Sequence, residues 1–162
     1  MKVEILVTDA NVLIDFYQAK PKLLKILCSE FQVKIPKLVM DEIEEFTALE
    51  AIDFGMEIID SEIAEPPLEN ISKKLSFQDK SCISLAKKLN ASCLTNDKKL
   101  KEYLDRFQIK TYWGLEIILS FYEKKLLTNE EITEIGNKVF SMNPRFGEEV
   151  KKSFWSTVNS QE

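Results

Sequence analysis

Hydrophobic residues along this chain recur in two patterns, which predict alternating strands and helices. Apolar runs with the length of buried strands occupy residues 3–8, 31–35, 92–95 and 109–112, and a shorter run at 57–60 predicts an edge strand. Between these runs, apolar positions recur every three or four residues, as on the buried face of a helix. The alternation predicts parallel strands joined by right-handed crossovers, with all strand carboxyl ends along one edge of the sheet.

Helices are predicted where this spacing coincides with capping residues. Their expected ranges are 11–17, 21–28, 37–52, 76–90, 98–106, 115–122, 128 onward and 150–158. In the third of these, Val39, Ile43, Phe46 and Leu49 are expected to point inward. The Pro66-Pro67 pair is expected to break whatever element precedes the helix that begins near Ser76.

The length of 162 residues fits one domain, because a single hydrophobic core commonly organises about 100–200 residues. We therefore predict a single domain over residues 1–162, with a functional core at about 3–125 and C-terminal helices at about 126–160. No apolar run approaches the ~20 residues that a membrane span needs, and the first residues lack the apolar core of a signal peptide. We expect a cytoplasmic protein that does not enter a membrane.

The composition limits the chemistry that is available. The chain contains no histidine, which excludes histidine acid–base catalysis and nearly every catalytic zinc site. Three widely spaced cysteines, Cys28, Cys82 and Cys93, form no metal-binding or redox motif and are expected to be core residues. A net charge of -5 argues against a protein that coats nucleic acid, although it permits an acidic pocket within basic surroundings.

Four acidic residues fall at one kind of structural position. Asp9 and Asp97 directly follow predicted strands, Glu42 lies early in the helix after the second strand, and Asp79 lies at a helix start. In an open parallel sheet, this is where ligands bind. Carboxylates brought together would repel each other unless a cation neutralised them, and oxygen ligands favour Mg²⁺ or Mn²⁺ over zinc. The expected substrate is a phosphate ester, hydrolysed with metal assistance.

Each acid also has a purely structural interpretation. Asp97 is a good helix N-cap, Asp79 is the third-position acid of a capping box, and Asp9 is suited to an Asx-turn. Glu42 lies on a charged stretch where Glu45 is an alternative ligand. The case for a metal site therefore rests on the four acids taken together.

Four segments of the sequence resemble those that carry the acids of PIN domains, and specifically of VapC-type toxin ribonucleases. They are Thr8 to Asp15, Pro36 to Ile43, Leu75 to Asp79 and Cys93 to Leu100, and the resemblance covers residues 3–125. It implies an α/β fold, a PIN-like three-layer α/β/α domain with a central parallel sheet and C-terminal helices. It also implies a ribonuclease that binds Mg²⁺ or Mn²⁺ through Asp9, Glu42, Asp79 and Asp97, often as a homodimer neutralised by a cognate antitoxin.

Residues near the acids are candidates for RNA contacts. Asn11, two residues after Asp9, and Asn96, Lys98 and Lys99, beside Asp97, are predicted to contact substrate, because amides and cations suit phosphates. Lys101 adds positive charge on the same helix. Tyr112 and Trp113 have the chemistry to stack on an unpaired base, although an aromatic pair after a strand is more often part of the core.

Three other classes share some of these features. A receiver-type phosphoacceptor domain would carry an acid pair after its first strand, which is missing here. A haloacid-dehalogenase-like phosphatase would carry an acid at position 11, where this chain has Asn11. A catalytically inactive PIN-like module that binds RNA or protein is the third alternative, and the presence of all four acids argues against it.

Overall fold

The architecture is a five-stranded parallel sheet with helices on its faces. A computed structural model describes residues 3–60 and 75–160 of the chain. The five strands found in these residues are β1 Ile5–Thr8, β2 Gln32–Pro36, β3 Glu57–Ile59, β4 Ser92–Leu94 and β5 Thr111–Tyr112. Their order across the sheet is β3-β2-β1-β4-β5, and every neighbouring pair is parallel. The predicted α/β fold with a central parallel sheet is confirmed.

The helices connect the strands in the predicted alternation. In the described residues they are α1 Ala10–Ala19, α2 Lys22–Glu30, α3 Lys37–Met40, α4 Ala48–Phe54, α5 Phe77–Leu89, α6 Lys98–Arg106, α7 Gly114–Glu123, α8 Asn129–Met142 and α9 Glu148–Ser160. Because crossovers are right-handed, helices that lead from β1 towards β3 cover one face, and those that lead back through β4 to β5 cover the other. The C-terminal helix α8 then packs on α1. The predicted Pro66-Pro67 break lies outside the described residues.

The prediction of one continuous helix over residues 37–52 is wrong. The chain leaves the helix after Met40 and begins α4 at Ala48, where Thr47 and Glu50 form a capping box. Ile43 and Phe46 are nevertheless buried, because the intervening turn folds them into the core. Leu49, expected to point inward, is 75% exposed. The apolar residues of this segment therefore have helical spacing throughout, although only the two ends of the segment form helices.

The core lies between the sheet and the helices and uses residues that the apolar pattern singled out. Leu6, Val7, Leu94 and Phe16 are almost completely buried. Cys82 and Cys93 are buried as predicted, and Cys28 packs at the margin of the core.

Gly55 ends α4 with a positive φ of 114°, and an added Cβ would lie 2.9 Å from the Cβ of Cys28. This close approach explains why glycine is needed at that turn.

Candidate active site

The candidate site lies where the strand order reverses. β1 neighbours both β2 and β4, so the chain leaves β1 in one direction and later returns on its other side. Thr8 pairs with Leu94 at the carboxyl ends of β1 and β4, and the next residues continue into the loops before α1 and α6. Such a reversal opens a crevice at the carboxyl edge of a parallel sheet, where ligands bind. Asp9 and Asp97 flank this crevice.

Asp9 is the most buried acid of the site, with only 8% of its surface exposed. It caps α1, because its Oδ1 accepts a hydrogen bond from Val12 N at 3.1 Å, and its Oδ2 accepts a short hydrogen bond from the Thr95 hydroxyl. Burial raises the pKa of Asp9 from 3.8 to about 6, although both hydrogen bonds lower it. Repulsion from Asp79 and Asp97 raises the pKa further, so these acids are electrostatic neighbours.

Asp97 lies in the loop after β4, as Asp9 does after β1, and the two residues are joined through Thr95. Asp97 caps α6, since its Oδ1 accepts hydrogen bonds from Lys99 N at 2.8 Å and Leu100 N at 3.2 Å. Its own backbone N–H donates to Thr95 Oγ1 at 3.0 Å. The Thr95 hydroxyl therefore receives one hydrogen bond from Asp97 and gives one to Asp9.

Sequence analysis missed Thr95, which is completely buried. A hydroxyl residue at the end of a buried strand, two positions before a candidate ligand, is a usable signal for such a bridge, because a buried hydroxyl needs hydrogen-bond partners. The bridge shows that the loops after β1 and β4 form one polar unit.

Asp79 enters the site from the first turn of α5. Its backbone N–H donates to Ser76 Oγ at 3.0 Å, so Ser76 caps this helix as predicted. Partial burial and repulsion from Asp97 raise the pKa of Asp79, whereas hydrogen bonds from Ser76 and the attraction of Lys99 lower it. The structure therefore brings Asp79 close to both Asp9 and Asp97.

Glu42 lies in the turn after α3 and completes the group of four acids. Partial burial and repulsion from Asp79 raise its pKa, which makes Glu42 an electrostatic neighbour of Asp79. Glu45 Oε2 is buried and has no hydrogen-bond partner among the described residues, so Glu45 stays an alternative ligand. The repulsion between Glu42 and Asp79 indicates that Glu42 lies near this acid, and the choice of Glu42 over Glu45 as a ligand stays a prediction.

Comparison with known proteins identifies the family of this chain. A family model described as a PIN domain matches residues 5–160 of the chain. The chain belongs to the PIN-domain family. PIN domains are typically nucleases, and they generally bind divalent metals. The receiver-type and haloacid-dehalogenase-like alternatives are therefore set aside.

A solved structure supports the PIN fold independently. The chain is similar to a PilT N-terminus domain protein from the hyperthermophilic archaeon Sulfolobus solfataricus P2, with a TM-score of 0.52 and 20% sequence identity. The similarity covers 72% of this chain and 92% of that chain. No curated protein matches the sequence. At this identity the likeness concerns the fold, and the resemblance to VapC-type toxins stays a prediction.

The fit of these acids to a divalent ion depends on how they converge and on their chemistry. Within residues 3–60 and 75–160, no three Asp, Glu, Cys or His side chains converge closely enough to hold one metal ion. The carboxylates of Asp9 and Asp97 are instead engaged by helix N–H groups and by Thr95. The donor set still fits a hard cation, because it is all oxygen and because the acids repel one another. Burial is the largest cause of the raised pKa values of Asp9, Asp79 and Glu42, and this repulsion raises them further. A divalent cation would remove that repulsion.

The residues predicted to contact substrate surround these acids. Asn11 is exposed in the first turn of α1, and Lys98 is exposed in the first turn of α6. Lys99 lies close enough to Asp79 to lower its pKa. Asn96 has a structural role, because its Oδ1 accepts a hydrogen bond from Gly114 N at 2.9 Å. Substrate contacts by all four residues stay predictions.

Among the described residues, no helix combines the length and apolar character needed to cross a bilayer.

Proposed function

We propose that this PIN domain is a metal-dependent endoribonuclease that hydrolyses RNA phosphodiesters, with Asp9, Glu42, Asp79 and Asp97 holding Mg²⁺ or Mn²⁺. The observation that carries the proposal is the electrostatic coupling of the four acids. Asp79 repels Asp9 and Glu42, and Asp97 repels Asp9 and Asp79. Such a concentration of negative charge is unfavourable without a cation, and a bound divalent cation would remove that cost.

In this proposal, the position of each residue determines whether it holds the metal ion or contacts the RNA. Asp9 and Asp97 are fixed by helix caps and by Thr95, so they are the central ligands. Asp79 and Glu42 are the two remaining carboxylates of the site. Each would hold the ion either directly or through a water molecule. When bound, the ion supplies charge neutralisation for the phosphodiester and acidifies the attacking water. Lys98 and Lys99 attract the RNA backbone, and Asn11 orients a phosphate or a water by hydrogen bonding.

The biological setting is proposed from the resemblance to VapC-type toxins. In this proposal the protein works in the cytoplasm as a homodimer, and a cognate antitoxin protein neutralises it. The adjacent gene is the cheapest test, because toxin and antitoxin genes of such pairs are neighbours. A neighbouring gene for an unrelated metabolic enzyme would favour a housekeeping nuclease.

A second candidate function is a catalytically inactive PIN-like module that binds RNA or protein. One observation favours it, namely that the carboxylate oxygens of Asp9 and Asp97 already accept hydrogen bonds from the protein. In that case the acids would serve only as helix caps. Cleavage and metal-binding experiments separate the two candidates.

Incubation of purified protein with mixed RNA, with and without Mg²⁺ or Mn²⁺, tests the proposal. We expect ion-dependent cleavage that a chelator stops and that Asp9→Asn or Asp97→Asn abolishes. Asp53→Asn, which changes an exposed acid on α4, is the matched control and should cut like the parent. If Asp9→Asn and Asp97→Asn cut as fast as the parent, a contaminating nuclease is responsible and the site assignment fails. Unchanged thermal stability with Mn²⁺, together with no cleavage, would favour the inactive module.

A further inference from the structure

Tyr112, the last residue of β5, and Trp113, which follows it, have different surroundings. Tyr112 is partly buried, its ring lies 5.7 Å from the ring of Phe31, and its hydroxyl donates to the carboxylate of Glu4. Tyr112 also packs against the hydrophobic core, as does Trp155, the second tryptophan of the chain. Trp113 is partly exposed and is absent from the described residues that pack against this core. The core interpretation of the pair therefore holds for Tyr112 but not for Trp113.

Trp113 lies on the same edge of the sheet as the four acids. It directly follows β5, and β5 neighbours β4, whose carboxyl end leads to Asp97. The hydrogen bond from Gly114 N to Asn96 Oδ1 ties the residue after Trp113 to the residue before Asp97. The indole is thereby placed beside the crevice that holds the candidate metal ligands.

Lys101 lies over the indole of Trp113 and on the same helix as Asp97. Lys101 Nζ is 5.8 Å from the centroid of the Trp113 ring. Lys101 also forms an ion pair with Asp105 at 2.8 Å, which holds its side chain on this surface. In α6, Lys101 lies four residues after Asp97, a rise of about 6 Å along the helix axis. Trp113, Lys101 and the candidate ligand Asp97 are therefore neighbours on one side of α6.

The backbone around Trp113 is fixed at two points. Trp113 N–H donates to Glu116 Oε1 at 3.1 Å, and Gly114 N–H donates to Asn96 Oδ1 at 2.9 Å. An added Cβ at Gly114 would lie 3.1 Å from two atoms of the Asn96 side chain, so glycine permits this close approach. A ring on a fixed backbone loses little entropy when a ligand stacks on it.

We propose that Trp113 and Lys101 form a base-binding subsite, in which the indole stacks on an unpaired base of the RNA and Lys101 contacts the adjoining phosphate. The inference rests on the proposed ribonuclease function and adds a residue that positions the substrate. Stacking on tryptophan does not select one base, because every base has an aromatic face. It does select single strands, because bases inside a duplex are not available for stacking. The subsite therefore makes the enzyme favour unpaired RNA next to the scissile bond.

The test measures RNA binding separately from cleavage. The full chain carries Asp9→Asn, to prevent hydrolysis, and Trp155→Phe, so that Trp113 is the only tryptophan. A single-stranded RNA oligonucleotide in Mg²⁺ buffer should quench Trp113 fluorescence. In a set of oligonucleotides that each carry one abasic nucleotide at a different position, only the one whose abasic nucleotide faces Trp113 should fail to quench the fluorescence. Duplex RNA should cause little quenching. A merely structural role for Trp113 would give no such positional effect.

Affinities of variants complete the test. Trp113→Ala should weaken binding of the single strand about 10-fold or more, because stacking contributes that much per base, and Trp113→Phe should retain most of the affinity. Lys101→Gln should reduce the dependence of binding on salt, as expected for one lost phosphate contact. Equal affinity of the parent and Trp113→Ala, without quenching, would overturn the subsite while leaving the ribonuclease proposal standing. Absence of RNA binding and of cleavage in the unmutated protein would overturn both.

Discussion

Replacement of Asp9 by Asn should stabilise the protein in the absence of metal. The folded state raises the pKa of Asp9 from 3.8 to about 6, so it holds the carboxyl proton more tightly than the unfolded chain does. Binding of this proton stabilises the folded state relative to the unfolded chain. The stabilisation is fully present below about pH 4 and is lost as the pH rises through about 6. At neutral pH the charged carboxylate therefore costs ~3 kcal/mol, at ~1.4 kcal/mol for each pH unit between the two pKa values.

The variant recovers part of this free energy. Asn at position 9 still offers an oxygen to Val12 N, but the Thr95 hydroxyl loses its charged acceptor, which costs ~1 kcal/mol. The net gain at neutral pH is then ~2 kcal/mol, or about 4–8 °C in Tm for a chain of this size. Near pH 4, where the parent carboxyl is protonated in the folded state, this gain should be lost and the variant should be no more stable than the parent.

Thermal unfolding in chelator, followed by circular dichroism at several pH values, measures the effect. Millimolar Mn²⁺ should raise the Tm of the parent and leave Asp9→Asn nearly unchanged, because ligand binding stabilises only the protein that binds the ligand. Asp53→Asn, an exposed acid, should behave like the parent throughout. A variant that is no more stable than the parent near neutral pH, or a gain that persists near pH 4, would refute this account of Asp9.

Three further experiments test other parts of the structure. Thr95→Val should raise the pKa of Asp9 further and destabilise the protein by about 1–2 kcal/mol near neutral pH, as two buried hydrogen bonds are lost; carbon NMR of the Asp9 carboxyl and denaturant unfolding measure both effects. Glu42→Gln should reduce the rate of metal-dependent RNA cleavage more than Glu45→Gln does, and the reverse order would move the ligand to Glu45. Gly136→Ala should cost about 1–3 kcal/mol in urea unfolding, because its Cβ would lie 2.6 Å from ring atoms of Phe154 and Trp155, and an unchanged midpoint would contradict this packing.

Sequence patterns predicted the elements of this fold well where hydrophobic period and capping residues agreed. α6 was predicted over residues 98–106 and has those bounds, because Asp97 caps its start and the strand before it is a clear apolar run. The segment at 37–52 failed because its apolar residues have helical spacing in a turn that is not helical. The Thr47 to Glu50 capping box was present in the sequence and would have located the start of α4.

The candidate site was predictable in its residue types but not in its contacts. Strand ends and helix starts located Asp9, Asp79 and Asp97, since these positions follow from local pattern alone. The bond between Thr95 and Asp9 joins residues 86 positions apart, and it depends on β1 and β4 being neighbours in the sheet. Strand order is a property of the whole chain, so local periodicity did not reveal it. The separate environments of Tyr112 and Trp113 were hidden for the same reason.

Among the described residues, the two strands that border the sheet are very short, and this limits how copies of the chain can associate. β3 has three residues and β5 has two, so each border exposes few backbone groups to which another strand might add. Extension of the sheet from one molecule into the next is therefore unfavourable. The homodimer of our proposal would then form through helix surfaces and leave the carboxyl edge of the sheet open to the proposed RNA substrate.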